Sequence, residues 1–162
     1  MSLLDACNFD EVDLMRPVFD KQAVRVKLVE VYEEQDEKNP GRTSLVVQHA
    51  LEQEATATNG VVKTPGFAFT TNINQLVATN GQPLTDGQRT ANRINAELMK
   101  SLLCAALGLP KDTKGLNATL AQMGGWEALN GRSVIATLSA REDRQKSGTF
   151  YQDVRGYAQV PA

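Results

Sequence analysis

The pattern of apolar and polar residues predicts two β-strands in the first third of the chain. In residues 23–32, apolar and polar side chains alternate with the period of two that puts them on opposite faces of a strand. The alternation shifts by one residue at Leu28, after which Val29 and Val31 carry the apolar face. Such a shift predicts a β-bulge, which bends the strand. A second alternating run covers residues 43–51.

Turn-forming residues separate the predicted strands. The sequence Asn-Pro-Gly at residues 39–41 precedes the second strand, and Asn-Gly at residues 59–60 precedes a third strand over residues 61–73. Pro-Gly at residues 65–66 interrupts this third strand. Because proline cannot donate a hydrogen bond to a neighbouring strand, we expect a kink or an edge position there.

A helical period replaces the alternation in the middle of the chain. Thr85 or Asp86 can cap the helix, Gly108 can end it, and Pro110 prevents it from resuming. We therefore predict a helical insert over about residues 85–125. The apolar side chains with helical spacing are Ile94, Leu98, Leu102, Ala105 and Ala106.

Two further strands follow the helical insert. Residues 133–140 alternate again, a charged link covers residues 141–148, and residues 149–160 form the predicted return strand. Three strands, a helical insert and two strands are the elements of an OB-fold, a partly open five-stranded barrel with a helix between its third and fourth strands. An α+β sandwich has the same order and is the alternative. We predict a mainly β, OB-like single domain over residues 1–162, with one principal helix.

Composition and motifs argue against an enzyme. The hydrophobic fraction of 41% and the charged fraction of 22% are typical of a globular protein. Cys7 and Cys104 lie far apart without metal-type spacing, so we expect a reducing compartment and neither a disulfide nor a zinc site. His49, the one histidine, lies in an alternating strand, which favours a packed structural histidine over a catalytic base. Since phosphate-loop and dinucleotide glycine patterns are also missing, we expect no cofactor.

Charge is distributed unevenly along the chain. Residues 1–38 carry ten acidic and five basic side chains, whereas residues 39–162 carry twelve basic and nine acidic ones. This asymmetry can leave a basic face on an acidic protein, although a solvated acidic face on the first strand explains it equally well. We see neither a secretory signal nor an apolar segment long enough for a bilayer. These observations predict a cytoplasmic protein without membrane contact.

The last hairpin carries the residue types of a single-strand binder, in which cations follow the backbone and bases stack on rings for roughly 1–3 kcal/mol each. Under strict alternation, Tyr151, Arg155 and Tyr157 share one face beside the basic link. Alternatively, both rings cover the barrel edge and Arg155 pairs with Asp153. OB-folds contact oligonucleotides through this link and through strands two and three, which favours binding. The predicted nucleic-acid-binding residues are Arg25, Lys27, Arg42, Lys63, Arg141, Arg144, Lys146, Tyr151, Arg155 and Tyr157.

Three segments resemble small phage-encoded OB-fold single-stranded DNA-binding proteins. They are the opening strand Val24–Val31, the helix end Leu103–Pro110, and Leu129–Ala136 with the charged turn and two tyrosines that follow it. The resemblance implies sequence-independent binding of single-stranded DNA, with RNA left open, in phage replication or recombination. It also implies homo-oligomers, contacts with replication or recombination proteins, and the host cytoplasm. Many such proteins end in an acidic recruiting tail, which we do not expect here because no acidic residue follows Asp153.

A second function is compatible with the same sequence. The chain could be a protein-interaction or assembly module, such as a phage accessory or structural protein, that does not bind nucleic acid. Its near-neutral charge and its apolar helix, which could dock a partner, support this alternative. Salt separates the two functions, because nucleic-acid binding weakens steeply as salt rises and an apolar protein interface does not.

Overall fold

The computed structural model describes residues 17–79 and 81–161; Cys7 therefore lies outside the described residues. The described chain is mainly β, with seven strands, two α-helices and one 3-10 helix. The elements are β1 (Gln22–Gln35), β2 (Arg42–Leu51), β3 (Ala55–Thr56), β4 (Val62–Lys63), β5 (Ala68–Leu76), α1 (Asp86–Leu107), α2 (Leu116–Gln122), the 3-10 helix (Trp126–Leu129), β6 (Ser133–Glu142) and β7 (Phe150–Ala158).

Five long strands form one antiparallel sheet in the order β5-β2-β1-β6-β7. The helices connect the third and fourth of these strands, as the sequence predicts. Strands β5 and β7 are the two edges, and within the described residues no ladder of backbone hydrogen bonds joins them. The five strands and the helical insert are thus confirmed, whereas closure of the sheet into a hydrogen-bonded barrel is not observed in this part of the chain. None of the described helices is both long and apolar enough to cross a membrane.

The bulge predicted in β1 is confirmed. The pairing of β1 with β2 shifts between Leu28 and Glu30, so Val29 is the extra residue. Leu28 and Val31 are fully buried. The prediction that Val29 also faces the core is wrong, because the extra residue of a bulge leaves the ladder and here its side chain is exposed.

The predicted third strand is divided in two at Pro65-Gly66. The first part, β4, pairs with β3 in a small separate hairpin, and the second part, β5, pairs with β2 along its whole length. Gly66 has a φ of 99°, a left-handed value that glycine adopts without strain, and it turns the chain between the two parts. The interruption expected from the Pro-Gly pair is therefore a complete break rather than a kink, and the strand that follows it, β5, lies at an edge of the sheet.

Helix α1 begins and ends where the sequence predicts. The Thr85 hydroxyl accepts from the backbone N–H of Gln88, and the Gln88 side chain accepts from the backbone N–H of Thr85, which completes a capping box. Gly108 ends the helix with a left-handed φ of 68°. The buried residues of α1 lie near its C-terminal end, at Leu102–Ala105, whereas Ile94 in its N-terminal half is exposed, contrary to the helical pattern.

Side chains of α1 also bind the edges of the sheet. Asn92 exchanges two hydrogen bonds with the backbone of Leu76, at 2.8 and 2.9 Å, and the amide of Asn95 donates to the carbonyl of Asn74 at 2.8 Å. These bonds satisfy backbone groups of β5 that have no strand beside them. On the other side, the Ser101 hydroxyl accepts from the backbone N–H of Tyr157 in β7. Helix α1 is therefore hydrogen-bonded to both edge strands of the sheet.

Candidate nucleic-acid interface

A groove runs along the seam between the edge strands β5 and β7, and α1 forms its third wall. It has a volume of about 900 Å³. It continues into a second cleft of about 610 Å³, which reaches Arg141 and Phe150 at the two ends of the β6–β7 link, residues 143–149. The two clefts share residues of both edge strands, so we treat them as one surface, the seam groove. The polar and aromatic side chains that define it are Asn72, Asn74, Asn95, Arg141, Tyr151 and Arg155.

An aromatic and cationic cluster lies where the seam groove meets the β6–β7 link. The guanidinium of Arg141 lies over the ring of Tyr151, 5.0 Å from its centroid, and its Nε donates to Asp153 at 2.8 Å. The Tyr151 hydroxyl donates to Asp143 at 2.8 Å. Tyr151 is 44% exposed and the neighbouring Phe150 is 41% exposed. We call this group of five residues the hairpin platform.

Hydrogen bonds favour the ionised form of Asp143 and the protonated form of Tyr151 in the hairpin platform. The carboxylate of Asp143 accepts from the backbone N–H of Gln145 and from the Tyr151 hydroxyl, and these bonds lower the pKa of Asp143. The same bond to Asp143 raises the pKa of Tyr151. Near neutral pH, Asp143 is therefore ionised and Tyr151 is a protonated donor.

Tyr157 does not belong to this exposed surface, and the prediction that it stacks on bases is wrong. It is only 3% exposed. The pairing of β6 with β7 shifts between Thr137 and Leu138, which leaves Arg155 as an extra residue between Val154 and Gly156. An extra residue reverses the alternation beyond it, so Tyr151 and Tyr157 fall on opposite faces of β7.

Tyr157 instead belongs to a stack of three rings beneath the seam groove, in which Tyr157 and Phe69 line the clefts and His49 is fully buried. Its hydroxyl lies 2.8 Å from Nε2 of His49. The His49 ring is nearly parallel to the ring of Phe69, at 4.6 Å between centroids, and to that of Tyr157, at 5.9 Å. These rings belong to β2, β5 and β7, so the stack joins the two sheet edges through side chains. His49 is a packed, buried histidine, as the sequence predicts.

Burial determines the protonation states of His49 and Tyr157. Removal from water disfavours the charged imidazolium and lowers the pKa of His49 to about 4. It also raises the pKa of Tyr157 well above its ordinary value. The hydroxyl therefore donates to Nε2 of a neutral His49, while Nδ1 lies 3.4 Å from the carbonyl oxygen of Phe69.

The remaining predicted residues are distributed over other parts of the surface. Arg25 pairs with Glu52 at 3.5 Å on the central strand, two strands from either edge. Arg42 pairs with Asp36 in the β1–β2 hairpin. Lys63 lies over the ring of Phe67, 5.3 Å from its centroid. None of these three cations lines the seam groove, so the structure does not extend the predicted basic groove to them.

Three other predicted cations also lie outside the groove walls. Lys27 is exposed on β1, and Arg144 and Lys146 are exposed in the β6–β7 link, next to the hairpin platform. Of the ten predicted residues, the structure therefore brings together Arg141, Tyr151 and Arg155 along the groove, with the two link cations beside them.

Several groove residues were not predicted from the sequence. Asn72 and Asn74 line it from β5, and the Thr-Asn-Ile-Asn alternation could have indicated them as an outward polar row. Asn95 and Ile94 line it from α1, and Lys111 from the loop after that helix. No local signal marks these three, because they reach the groove only through the packing of α1 across the seam.

Charge distinguishes the seam groove from a cleft at the β1–β2 hairpin that adjoins it at Asn72. The groove walls carry the cations Lys111, Arg141 and Arg155 and two carboxylates. A cleft at the β1–β2 hairpin is instead lined by Glu34, Asp36 and Glu37 with the cations Lys38 and Arg42. Here hydrogen bonds from Asn39 and from the Arg42 guanidinium lower the pKa of Asp36 to about 2. The walls of the seam groove thus carry a net charge of +1 (three cations, two carboxylates), and the cleft at the β1–β2 hairpin carries −1 (two cations, three carboxylates).

Comparison with known proteins adds no relative. No protein-family model matches the chain, and no curated protein is similar to it in sequence. Within the described ranges, no group of three or more histidine, cysteine or carboxylate side chains could hold a metal ion.

Proposed function

We propose that this chain binds single-stranded nucleic acid in the seam groove, without base preference, on an OB-like fold. The observation that carries the proposal is the exposed ring of Tyr151 beside the Arg141 guanidinium, where the groove meets the β6–β7 link. A ring supplies a surface on which a base can stack, and the adjacent cation can neutralise the phosphate next to that base. In an OB-fold the link between the last two strands is a ligand-binding loop.

The order of the elements supports the OB-like part of the proposal. Three long strands, a helical insert and two long strands form one antiparallel sheet. Its edges β5 and β7 are joined by the stacked rings of Phe69, His49 and Tyr157 instead of a backbone ladder. A sheet that curls until its edges approach but do not pair is what a partly open barrel requires.

The groove supports a single strand better than a duplex. Bases in a duplex are already stacked and paired, so their faces are not accessible to Tyr151 or Phe150. A single strand can turn a base onto these rings while Arg141, Arg155 and Lys111 follow its phosphates. The exposed amide of Asn72 offers a donor and an acceptor that suit any base edge.

The charge of the groove limits the affinity. Three cations against two carboxylates give a small net attraction. If these three cations neutralise phosphates, the logarithm of the binding constant should fall with the logarithm of salt concentration with a slope of about −2. The link cations Arg144 and Lys146 can steepen this slope.

Titration of a fluorescent oligothymidylate tests the proposal, with a duplex of equal length as the competing ligand. We expect the single strand to bind more tightly than the duplex and Tyr151→Ala to weaken single-strand binding by about 5- to 150-fold, the range for loss of one base stack. Val62→Ala removes an apolar side chain that is 52% exposed and lies outside the groove, and it should leave binding unchanged.

Two results would contradict the proposal. One is the absence of oligonucleotide binding at low salt, and the other is equal binding by the Tyr151→Ala variant and the unmodified protein. Binding to a protein partner that is insensitive to salt, without any oligonucleotide binding, would favour the interaction module instead.

A further inference from the structure

The charged and hydrogen-bonding groups of the hairpin platform are already occupied by carboxylates of the chain itself. Arg141 donates to Asp153 at 2.8 Å, and the Tyr151 hydroxyl donates to Asp143 at 2.8 Å. All these side chains are accessible to solvent, so a ligand can reach them. Asp153 thus lies where the phosphate of a bound strand would meet Arg141.

We propose that Asp153 competes with bound phosphate for Arg141: it occupies the anion position on the guanidinium, so a ligand gains from the hairpin platform only if it also stacks on Tyr151. Asp143 assists because it accepts a hydrogen bond from the Tyr151 hydroxyl and so fixes the position of the ring. The inference rests on the proposed function, because it assumes that the groove receives a nucleic acid.

The dependence on stacking follows from the relative sizes of the anion exchange on Arg141 and of the base stack on Tyr151. A phosphate that replaces Asp153 exchanges one anion for another on the same guanidinium, so this step changes the free energy little. An exposed ion pair contributes at most about a fivefold change in an equilibrium constant. Stacking of one base contributes about 5- to 150-fold. A polyanion without rings therefore gains almost nothing from Arg141, whereas a nucleotide gains the stack.

Asp153 is the carboxylate that a phosphate would have to displace from Arg141. Asp143 of the hairpin platform lies within electrostatic reach of Arg141, and the groove walls also carry Glu97, Arg155 and Lys111. Among the described residues, Asp153 is the carboxylate that forms an ion pair with Arg141. Its replacement should consequently free the guanidinium without disturbing a second pair.

The Asp153→Asn variant tests the inference with two probes, oligothymidylate and inorganic polyphosphate of similar charge. We expect both to bind about two- to fivefold more tightly than to the unmodified protein, because neither has to displace a carboxylate. Tyr151→Ala should weaken the oligonucleotide alone. Glu127→Gln, which makes the same charge change on the 3-10 helix, should leave both affinities unchanged.

The outcomes separate this inference from the proposed function. If the unmodified protein binds the oligonucleotide and Asp153→Asn binds neither probe more tightly, Asp153 does not compete for Arg141, and the proposed function stands. If neither protein binds the oligonucleotide at low salt, the proposed function fails and the inference fails with it. Thermal melting of each variant confirms that it is folded.

The anchoring of Tyr151 has a readout that needs no ligand. The bond to ionised Asp143 raises the pKa of Tyr151, so Asp143→Asn should lower that pKa. An ultraviolet titration of tyrosine ionisation measures it, and Tyr151→Phe identifies which step belongs to Tyr151. An unchanged titration in Asp143→Asn would show that Asp143 does not anchor the ring.

Discussion

Two tyrosines on one strand, Tyr151 and Tyr157, have opposite environments. Tyr151 is 44% exposed and donates to a surface carboxylate, whereas Tyr157 is 3% exposed and bonds to buried His49. The extra residue Arg155 separates them and reverses the face of the strand. Residue type alone therefore does not indicate which ring is available to a ligand. We expect Tyr157 to stabilise the fold and Tyr151 to bind.

Replacement of Tyr157 should have the largest effect. Tyr157→Ala removes a buried ring and leaves His49 without its partner, so we expect a loss of about 3–5 kcal/mol in the free energy of unfolding. Tyr157→Phe keeps the ring and should cost about 1–3 kcal/mol, the penalty for an unsatisfied buried group. Urea denaturation measures both.

The matched control for these variants is Tyr151→Phe. Because the ring of Tyr151 is exposed, its denaturation midpoint should equal that of the unmodified protein. Equal destabilisation by Tyr151→Phe and Tyr157→Phe would remove the distinction between the two tyrosines.

Acid should lower the free energy of unfolding through the buried His49. Burial lowers the pKa of His49 from 6.5 to about 4, so the unfolded chain binds a proton at a higher pH than the folded protein does. Stability from this group is therefore complete above pH 6.5 and falls as pH drops towards 4. The slope should be about 1.4 kcal/mol per pH unit, for a total of about 3 kcal/mol. Urea denaturation at several pH values measures the slope.

Two features identify this slope as that of His49. The His49→Gln variant should lose it, since His49 is the one histidine of the chain. The lowered pKa of Asp36, about 2 instead of 3.8, acts in the same direction but at lower pH, where stability is lost as pH falls from 3.8 towards 2. A stability that stays constant between pH 6.5 and 4 would contradict the assignment.

Substitutions of the exposed rings should change oligonucleotide binding and not stability. Phe150→Ala removes the second exposed ring of the hairpin platform, and we expect it to weaken oligothymidylate binding less than Tyr151→Ala does, because Arg141 lies over Tyr151. Fluorescence anisotropy measures the order of the two variants. Stronger loss with Phe150→Ala would move the stacking site to Phe150.

The bulges in β1 and β7 show how much of the fold and of the candidate site could be predicted from the sequence. The β1 bulge was predicted because Leu28 and Val29 are adjacent apolar residues inside a strong alternation. The β7 bulge at Arg155 has no such mark, since strict alternation fits its neighbours Val154 and Gly156 equally well. The burial of Tyr157 depends on His49, more than one hundred residues away, and no local pattern contains that information.

The same distinction applies to the rest of the molecule. The helix ends at Thr85 and Gly108 were predicted because capping depends on a few neighbouring residues. The hairpin platform was predicted in part, because Arg141 and Tyr151 lie close together in one hairpin. Lys111 and Asn95 were not, because they reach the groove only when α1 packs across the seam.

The smallest predicted effect concerns Arg155, the residue that separates the two tyrosines. It lines the seam groove and is exposed, with no ion-pair partner among the described residues. Arg155→Ala should weaken oligothymidylate binding by about two- to fivefold and make the salt slope shallower by about 0.7, the value for one lost phosphate contact on a single strand. Lys38→Ala removes a cation at the β1–β2 hairpin and should change neither quantity. If Arg155→Ala binds as tightly as Lys38→Ala but is much less stable, then Arg155 acts only through the bulge, and the groove cations that bind the strand are Arg141 and Lys111.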